Sequence, residues 1–498
     1  MNIELYILGF NFVFSPISML LLFSSVFLGV TVGALPGLTA TMGVAILAGL
    51  TYNLPFNMAI LTLMGVYVGA VYGGSISAIL INVPGTPAAI CTTFDGYPMA
   101  QKGEAGKAIA IATISSFIGG FGSALILMIA SPTLANFALK FTSLELFSIA
   151  LFGLSIISYI SVGSMHKGLI SASIGLLIAT IGGDPMMSYP RFTFNNINLY
   201  TGIQFTTVMI GLFGTSEVLI QIESILDFKI LTKNIGKIMP DPGFLKDNWI
   251  NMLRSSIVGI IIGAVPGTGA TIAAIVSYGQ QKRLSTNPDL MGKGAVEGIV
   301  AAETANNACT GGAMIPLLSL GIPGDAVTAI MIGSFLMHGL RPGPMLFVNE
   351  IELVSIIFIG LCVANIFMLV IGLGGAKMFA KVITIPKSIL YSAVLTLCFI
   401  GSFAINNSFF DVFIMLISSI IGFLMYKASI PRAPLVLALI LGPIAETNLR
   451  RSLMLYDNLF KALLSRPIAL VILLITVGLI IFPFIDKGRK KSKLETET

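Results

Sequence analysis

Charge is what this chain has least of. Lys, Arg, Asp and Glu make up 10% of it, against about 25% in a soluble globular protein. That shortage excludes a water-facing surface over most of the molecule. The four cysteines (Cys91, Cys309, Cys362, Cys398) show no CxxC or metal-ligand spacing, so they read as small apolar residues of helices. The two histidines, His166 and His338, lie outside the motifs described below, and there is no HExxH. Both facts speak against an intramembrane enzyme. A GxxxxGK[ST] phosphate loop is missing too, which removes the usual signature of ATP drive. The opening MNIELYILGF carries no basic residue. It lacks the n-region of a cleaved signal peptide, and the first apolar run is expected to be a retained helix.

What fills the space instead is apolar. The chain is 56% hydrophobic, with a mean hydropathy of +0.96. Long apolar runs recur from Phe14–Leu35 through Met58–Ile81, Ala108–Ile129, Ile257–Val276 and Leu353–Ile371 to Ile468–Phe484. A helical span needs roughly 20 such residues, and about 11 or 12 hydrophobic segments result, several of them short or interrupted. Continuous runs are a helical signal and barrel strands alternate, so a closed β-barrel is excluded. The expected fold is an all-α polytopic membrane protein. In such a protein the net charge of +6 reports topology, not nucleic acid. The tail at 486–498 and the stretch 226–253, with Lys229, Lys233, Lys237 and Lys246, are basic and are expected in the cytoplasm, with Trp249 as an interfacial anchor. Cys91–Lys107, holding Asp95, Lys102, Glu104 and Lys107, reads as the first loop. Leu435–Leu441 reads as a short run ending at Gly442-Pro443, followed by an interfacial helix over Ala445–Arg466.

Two stretches do not fit plain spans. GALPGLTAT at Gly33–Thr41 returns as GAVPGTGAT at Gly263–Thr271, 230 positions later (263 minus 33). Proline removes a helical hydrogen bond and glycine loosens a helix. In lipid, broken backbone survives only where protein or a water-filled cavity covers it. A second pair follows in the same order. GGSISAILINVPGTPAA from Gly73 is echoed by GGAMIPLLSLGIPGDAVTA from Gly311, with one inserted residue before the proline. This order predicts two repeats, 1–225 and 254–485, joined by the connector 226–253 and followed by the tail 486–498. Inversion of the copies requires an odd number of spans between them. Paired broken helices around a midplane site are the common inverted-repeat transporter arrangement.

The breaks supply candidate chemistry. Helix N-termini offer free N–H groups and partial positive charge, and so attract anions. Pro36, Gly37, Thr39, Thr41, Ser75, Ser77, Asn82, Gly85, Thr86, Pro266, Gly267, Thr268 and Thr271 are therefore the candidate substrate-binding residues. No Arg or Lys lies within these motifs, although Lys102 and Arg341 flank them. An anionic substrate would need co-bound cations. Glu303, Asn306, Asn307, Gly324 and Asp325 are the candidate cation ligands, because an ionisable residue within a span is a functional candidate by default. No metal or organic cofactor is expected, beyond a coupling Na⁺ or H⁺. A passive pore for small anions is the alternative; the buried acid and amides suit ion coupling better.

GALPGLTATMG, YGGSISAILINVPGTPAA, FDGYPMAQKGEAGKA, GAVPGTGAT, EGIVAAETANNACTGG, LGIPGDAVTAIMIG and GLRPGPMLF together resemble the large membrane subunit of tripartite tricarboxylate transporters. The resemblance covers nearly the whole chain. It implies a permease of the bacterial-type cytoplasmic membrane that imports citrate or related carboxylates on an ion gradient. It also implies two partners, a small membrane subunit and a periplasmic solute-binding protein. A homodimer is left open.

Overall fold

The computed structural model describes residues 3–160, 165–187, 189–223, 236, 238–383 and 385–479. The tail at 486–498 and Lys229, Lys233 and Lys237 lie outside the described residues. In chain order the helices are α1 (Ile3–Val13), α2 (Pro16–Ala34), α3 (Ala40–Leu50), α4 (Phe56–Ile81), α5 (Ile90–Gln101), α6 (Ala105–Ala138), α7 (Ser143–Ile160) and α8 (Met165–Ala179). They continue with α9 (Phe205–Met209), α10 (Ser216–Glu223), α11 (Phe244–Ala264), α12 (Gly269–Leu284), α13 (Val296–Leu320), α14 (Ala326–Met337), α15 (Leu346–Asn349) and α16 (Ile351–Val382). Last come α17 (Lys387–Asn406), α18 (Phe409–Lys427), α19 (Ala433–Leu455) and α20 (Leu459–Ser465). A π-helical turn, Ile210–Thr215, joins α9 to α10. Among the described residues, strand is confined to one antiparallel pair, Gly182–Gly183 with Pro190–Arg191.

Eight helices among the described residues are long and apolar enough to cross a membrane. Four shorter apolar helices, Ala40–Leu50, Ser143–Ser155, Met165–Ala179 and Ala326–Met337, accompany them. Leu459–Ser465 and Pro467–Leu479 form a pair bent by 106°. The chain is an all-α, multi-pass membrane protein. At 1.5 Å per residue α3 is only about 16 Å long, half the hydrocarbon thickness, so it cannot cross by itself.

Met1–Asn136 with Thr206–Phe423 form one compact unit, and Phe137–Phe205 with Leu424–Thr498 a second. In the first unit the core is α4, buried without interruption from Ala59 to Ile81. It lies against α2 and α16. The α13 helix is the second buried rod, packed by α11, α12 and α5. Small residues let these helices approach closely, which is how membrane helices gain packing energy where lipid gives little hydrophobic drive between them.

In the second unit α7 and α8 pack on α19. Ser171 Oγ donates to the Pro431 carbonyl at 2.6 Å, and Leu435 N–H donates back to Ser171 Oγ at 3.1 Å. Arg191 Nη1 pairs with Glu446 at 2.7 Å and Arg450 Nη1 with Asp184 at 2.5 Å. The Arg450 guanidinium and the Met186 and Met187 amides hold the Asp184 carboxyl well below the usual carboxylate range.

Two sequence expectations change. Cys91–Lys107 is not simply a loop: Ile90–Gln101 is helix, with Pro98 inside it. The polar composition and Pro98 concealed it. The Gly442-Pro443 pair does not end a helix either, since α19 runs through it from Ala433 to Leu455. A proline forfeits one helical bond, and the buried packing of Leu435–Leu441 holds the helix across that loss.

Candidate functional site

The two proline breaks have matching backbones. α2 ends at Leu35 (φ −88°, ψ 114°), whose N–H reaches the Val32 carbonyl. α11 ends at Val265 (φ −87°, ψ 119°), whose N–H reaches the Ile262 carbonyl. Gly37 (φ 91°) and Gly267 (φ 80°) then turn the chain through the left-handed region, which glycine enters without steric cost. Pro36 and Pro266 sit at these hairpin tips, one residue before each glycine. α3 and α12 run back from them.

The long helices α4 and α13 pack on these hairpins at equivalent places. A Cβ on Gly33 would stand 2.2 Å from the Ala70 carbonyl oxygen, and one on Gly263 2.6 Å from that of Cys309. Gly73 is set against Val30 as Gly312 is against Ile260. Both rods end in a left-handed residue, Asn82 (φ 58°) and Gly321 (φ 71°). The chain then folds back. Gly85 meets the Gly33 carbonyl and Gly74, while Gly324 meets the Gly263 carbonyl and Ala313. The positions on the rods and their folded-back ends share one offset of 239 residues (309 minus 70, 324 minus 85), and those on the hairpins one of 230 (263 minus 33, 260 minus 30). The register expected from sequence, Gly73 with Gly311 plus an inserted residue, is therefore corrected to Gly73 with Gly312 and no insertion. Helical phase decides it: the position facing backbone must lack a side chain.

The segments after the second breaks are engaged crosswise. Tyr67 on α4 donates its hydroxyl to Asp325 Oδ2 at 2.5 Å. Asn306 on α13 donates its amide to the Ala88 carbonyl at 3.1 Å. Tyr67 and Asn306 are again 239 residues apart, as are Thr86 and Asp325. Asp325 also caps α14 through a capping box: Oδ1 accepts from Thr328 N–H at 2.8 Å, and Asp325 N–H donates to Thr328 Oγ1 at 2.9 Å. The Thr86 hydroxyl, by contrast, is buried without a partner.

Close by on α13, Glu303 is wholly buried. Its carboxylate accepts the Thr92 hydroxyl, and the Ser116 hydroxyl at 3.0 Å. Asn307 donates to the Glu303 carbonyl at 3.2 Å and to Asn306 Oδ1 at 2.7 Å, and its own Oδ1 has no partner. Among the described residues no cluster of His, Cys, Asp and Glu is arranged to hold a metal ion.

Other predicted residues are placed differently. Ser75 and Ser77 give their hydroxyls to carbonyls of their own helix, Tyr72 at 2.8 Å and Gly74 at 3.3 Å. Thr39 caps α3 through Met42 N–H at 3.1 Å. Thr268 closes the end of α11, donating to Ile262 O at 2.5 Å and Val265 O at 2.9 Å. Asn82 is an exposed helix end. Thr41 and Thr271 are half-buried in the first turns of α3 and α12. Gly267 N–H donates to the Gly324 carbonyl at 2.8 Å and joins the two breaks of the second half.

Sequence reasoning missed Tyr67, Thr92, Ser116 and Asp95. Asp95 is fully buried on α5. Its Oδ1 accepts from the N–H groups of Gly292 (2.8 Å), Gly294 (3.0 Å) and Ala295 (2.8 Å), and its Oδ2 from the Tyr278 hydroxyl at 2.8 Å. Ala295 is the N-cap of α13 and makes no side-chain cap of its own, so a first-half carboxylate caps a second-half helix.

Comparison with known proteins identifies a family. The model of the Tripartite tricarboxylate transporter TctA family matches residues 19–437. An uncharacterized 52.8 kDa protein in the TAR-I ttuC′ 3′ region of Agrobacterium vitis is 34% identical over 484 residues, covering 97% of this chain and 96% of that protein. An uncharacterized protein in the TAR-II ttuC′ 3′ region of the same organism is 34% identical over 242 residues, covering 48% of this chain and all of that protein. No solved structure matches. The chain, with its paired proline breaks, belongs to the tripartite tricarboxylate transporter TctA family.

Proposed function

We propose that the protein is the permease subunit of a secondary active, binding-protein-dependent importer of carboxylates, citrate or related organic acids, driven by symport of Na⁺ or H⁺. In this reading it works in the cytoplasmic membrane with its C-terminus inside. It acts with a small membrane subunit and a periplasmic solute-binding protein. Family membership supports the three-part system. The observation that carries the transport reading is the crosswise pair Tyr67–Asp325 and Asn306–Ala88. It ties the folded-back end of each broken helix to the buried rod of the other segment, and the acids, amides and free Thr86 hydroxyl of these segments are buried.

The constant offsets of 230 and 239 support an origin of the two segments as copies of one unit. The carboxylate would bind at the hairpin tips and Thr86, and the coupling cation at Glu303, Asn307 and Asp325. Because each post-break segment is tied to the other segment's rod, the two broken segments move together as one body against neighbouring helices. Cross-links that fix them to those helices yet spare transport would contradict this motion.

The test is uptake by cells that carry all three subunits and no native system. Labelled di- and tricarboxylates should accumulate above the external level and leak away when the driving gradient is collapsed. Equilibration without accumulation would indicate a pore instead. Uptake of neutral sugars alone would overturn the carboxylate reading.

A further inference from the structure

We propose that the cation carried at Glu303 is a proton; this rests on the gradient-coupled reading above. Glu303 lies in the middle of α13, wholly enclosed, and the groups that touch its carboxylate are the hydroxyls of Thr92 from α5 and Ser116 from α6. The side chain of Asn306 also faces it. The titratable side chains facing it from other elements are uncharged as thiol and phenol: Cys91 of α5 and Tyr72 of α4. Tyr72 is itself bonded to Thr113 at 2.7 Å. Tyr278 of α12 packs with Cys91 and Ala302 at the same side of α13, its hydroxyl committed to Asp95.

Three charged groups of these helices are engaged elsewhere. Arg254 of α11 is on Gln281, Glu297 of α13 is on the same Gln281, and Lys107 of α6 is on Asp241. Among the described residues no Lys, Arg or His pairs with Glu303. An ionised carboxylate so enclosed is strongly disfavoured, and the group must be protonated or hold a mobile cation.

The oxygen inventory separates those two outcomes. A hard metal cation gathers about six oxygen ligands. Here both carboxylate oxygens, Asn306 Oδ1 and the carbonyls of Glu303 and Ala88 already accept hydrogen bonds. To ligate a metal ion each of these oxygens would have to share or give up a hydrogen bond, and the Thr92 and Ser116 hydroxyls would have to turn away; of the amide oxygens, Asn307 Oδ1 is left over. The unpartnered hydroxyls of Thr304 and Ser115 project about 100° around their helices from Glu303 and Ser116. A proton needs one oxygen and no new ligands. It arrives from water and joins Oε2, and the new O–H donates to Ser116 Oγ. The Ser116 hydroxyl then swings to the Ala112 carbonyl, four residues back on its own helix. Thr113 already makes that bond on the same helix, to Ile109 at 2.7 Å. Release of the proton reverses both steps, and no other bond changes.

Infrared difference spectra of the purified full-length protein, recorded through pH steps with and without Na⁺, test the assignment. A protonated-carboxyl band should appear that shifts on deuteration, vanishes in Glu303→Gln, moves without vanishing in Ser116→Ala, and ignores Na⁺. The band persisting in Glu303→Gln, or saturating Na⁺ erasing it at constant pH, overturns the proposal. Vesicles holding the three-part system then receive a pH gradient in sodium-free buffer. Wild type should accumulate substrate, and Glu303→Gln should fall to the level of empty vesicles. Accumulation that demands Na⁺ overturns the proton. A failure of every gradient to drive uptake, with the band still assigned to Glu303, counts against the importer reading instead.

Discussion

The two folded-back segments share a backbone and differ in chemistry. At Gly85-Thr86 the first polar side chain is a hydroxyl with nothing to bond, and the contact from the opposite rod is an amide on a main-chain carbonyl. At Gly324-Asp325 it is a carboxylate that caps its own helix and accepts a phenol. The second segment's first polar side chain is therefore partnered, and the first segment's is not. A buried polar group without a partner costs free energy unless something satisfies it. In the proposed transporter this asymmetry favours Thr86, rather than Asp325, as the partner of the substrate's hydrogen bonds.

The largest effects should come from attacking what the segments share. Gly85→Ala and Gly324→Ala would put Cβ atoms 1.9 and 2.4 Å from the Gly33 and Gly263 carbonyl oxygens. Each should cost about 3 kcal/mol or more, read as loss of a monodisperse peak in detergent. One glycine tolerating alanine while the other does not would break the structural equivalence.

Next in size is Tyr67→Phe, which strips a donor from the Asp325 carboxylate. A loss of about 1–3 kcal/mol is expected in thermal unfolding. Asn306→Leu removes the donor to the Ala88 carbonyl and the acceptor of Asn307, and should cost a similar amount. Unchanged stability in Tyr67→Phe would mean that Tyr67 does not hold Asp325. A smaller change, about 1 kcal/mol, is expected for Asp325→Asn, since asparagine caps a helix nearly as well. Transport, however, should fall sharply if the negative charge matters. Equal transport in Asp325→Asn and wild type would remove the charge from the mechanism.

The smallest structural effect belongs to Thr86→Val. It deletes a hydroxyl that bonds nothing, so stability should stay within about 0.5 kcal/mol. Substrate affinity, measured by calorimetry or competition uptake, should nevertheless drop. Unchanged affinity would take Thr86 out of the site and erase the contrast between the two segments.

Much of this was legible in the residues, and the reasons are specific. Proline beside glycine in an apolar run announces broken backbone, so the hairpin tips at Pro36 and Pro266 were visible. Glu303 stood out because an acid in a span has few excuses. Hydroxyl roles were not legible. Ser75, Ser77 and Thr268 satisfy themselves on nearby carbonyls, and nothing in their spacing separates that from lining a site. Tyr67 read as one more aromatic in a buried helix, because its partner is 258 residues away. Asp95 was hidden by a polar, proline-bearing helix that looked like a loop. The Gly-Gly pairs misled the register, since identity of letters says less than which face meets a neighbouring carbonyl.

The capping of α13 by Asp95 bears on biogenesis. The ribosome finishes α5 long before α13 emerges, so the buried carboxylate must wait, unsatisfied or solvated, until the 292–295 turn arrives. α13 in turn inserts with its leading amides open. Neither α5 nor the start of α13 is satisfied without the other. Final docking of that helix is thus a late event in membrane assembly.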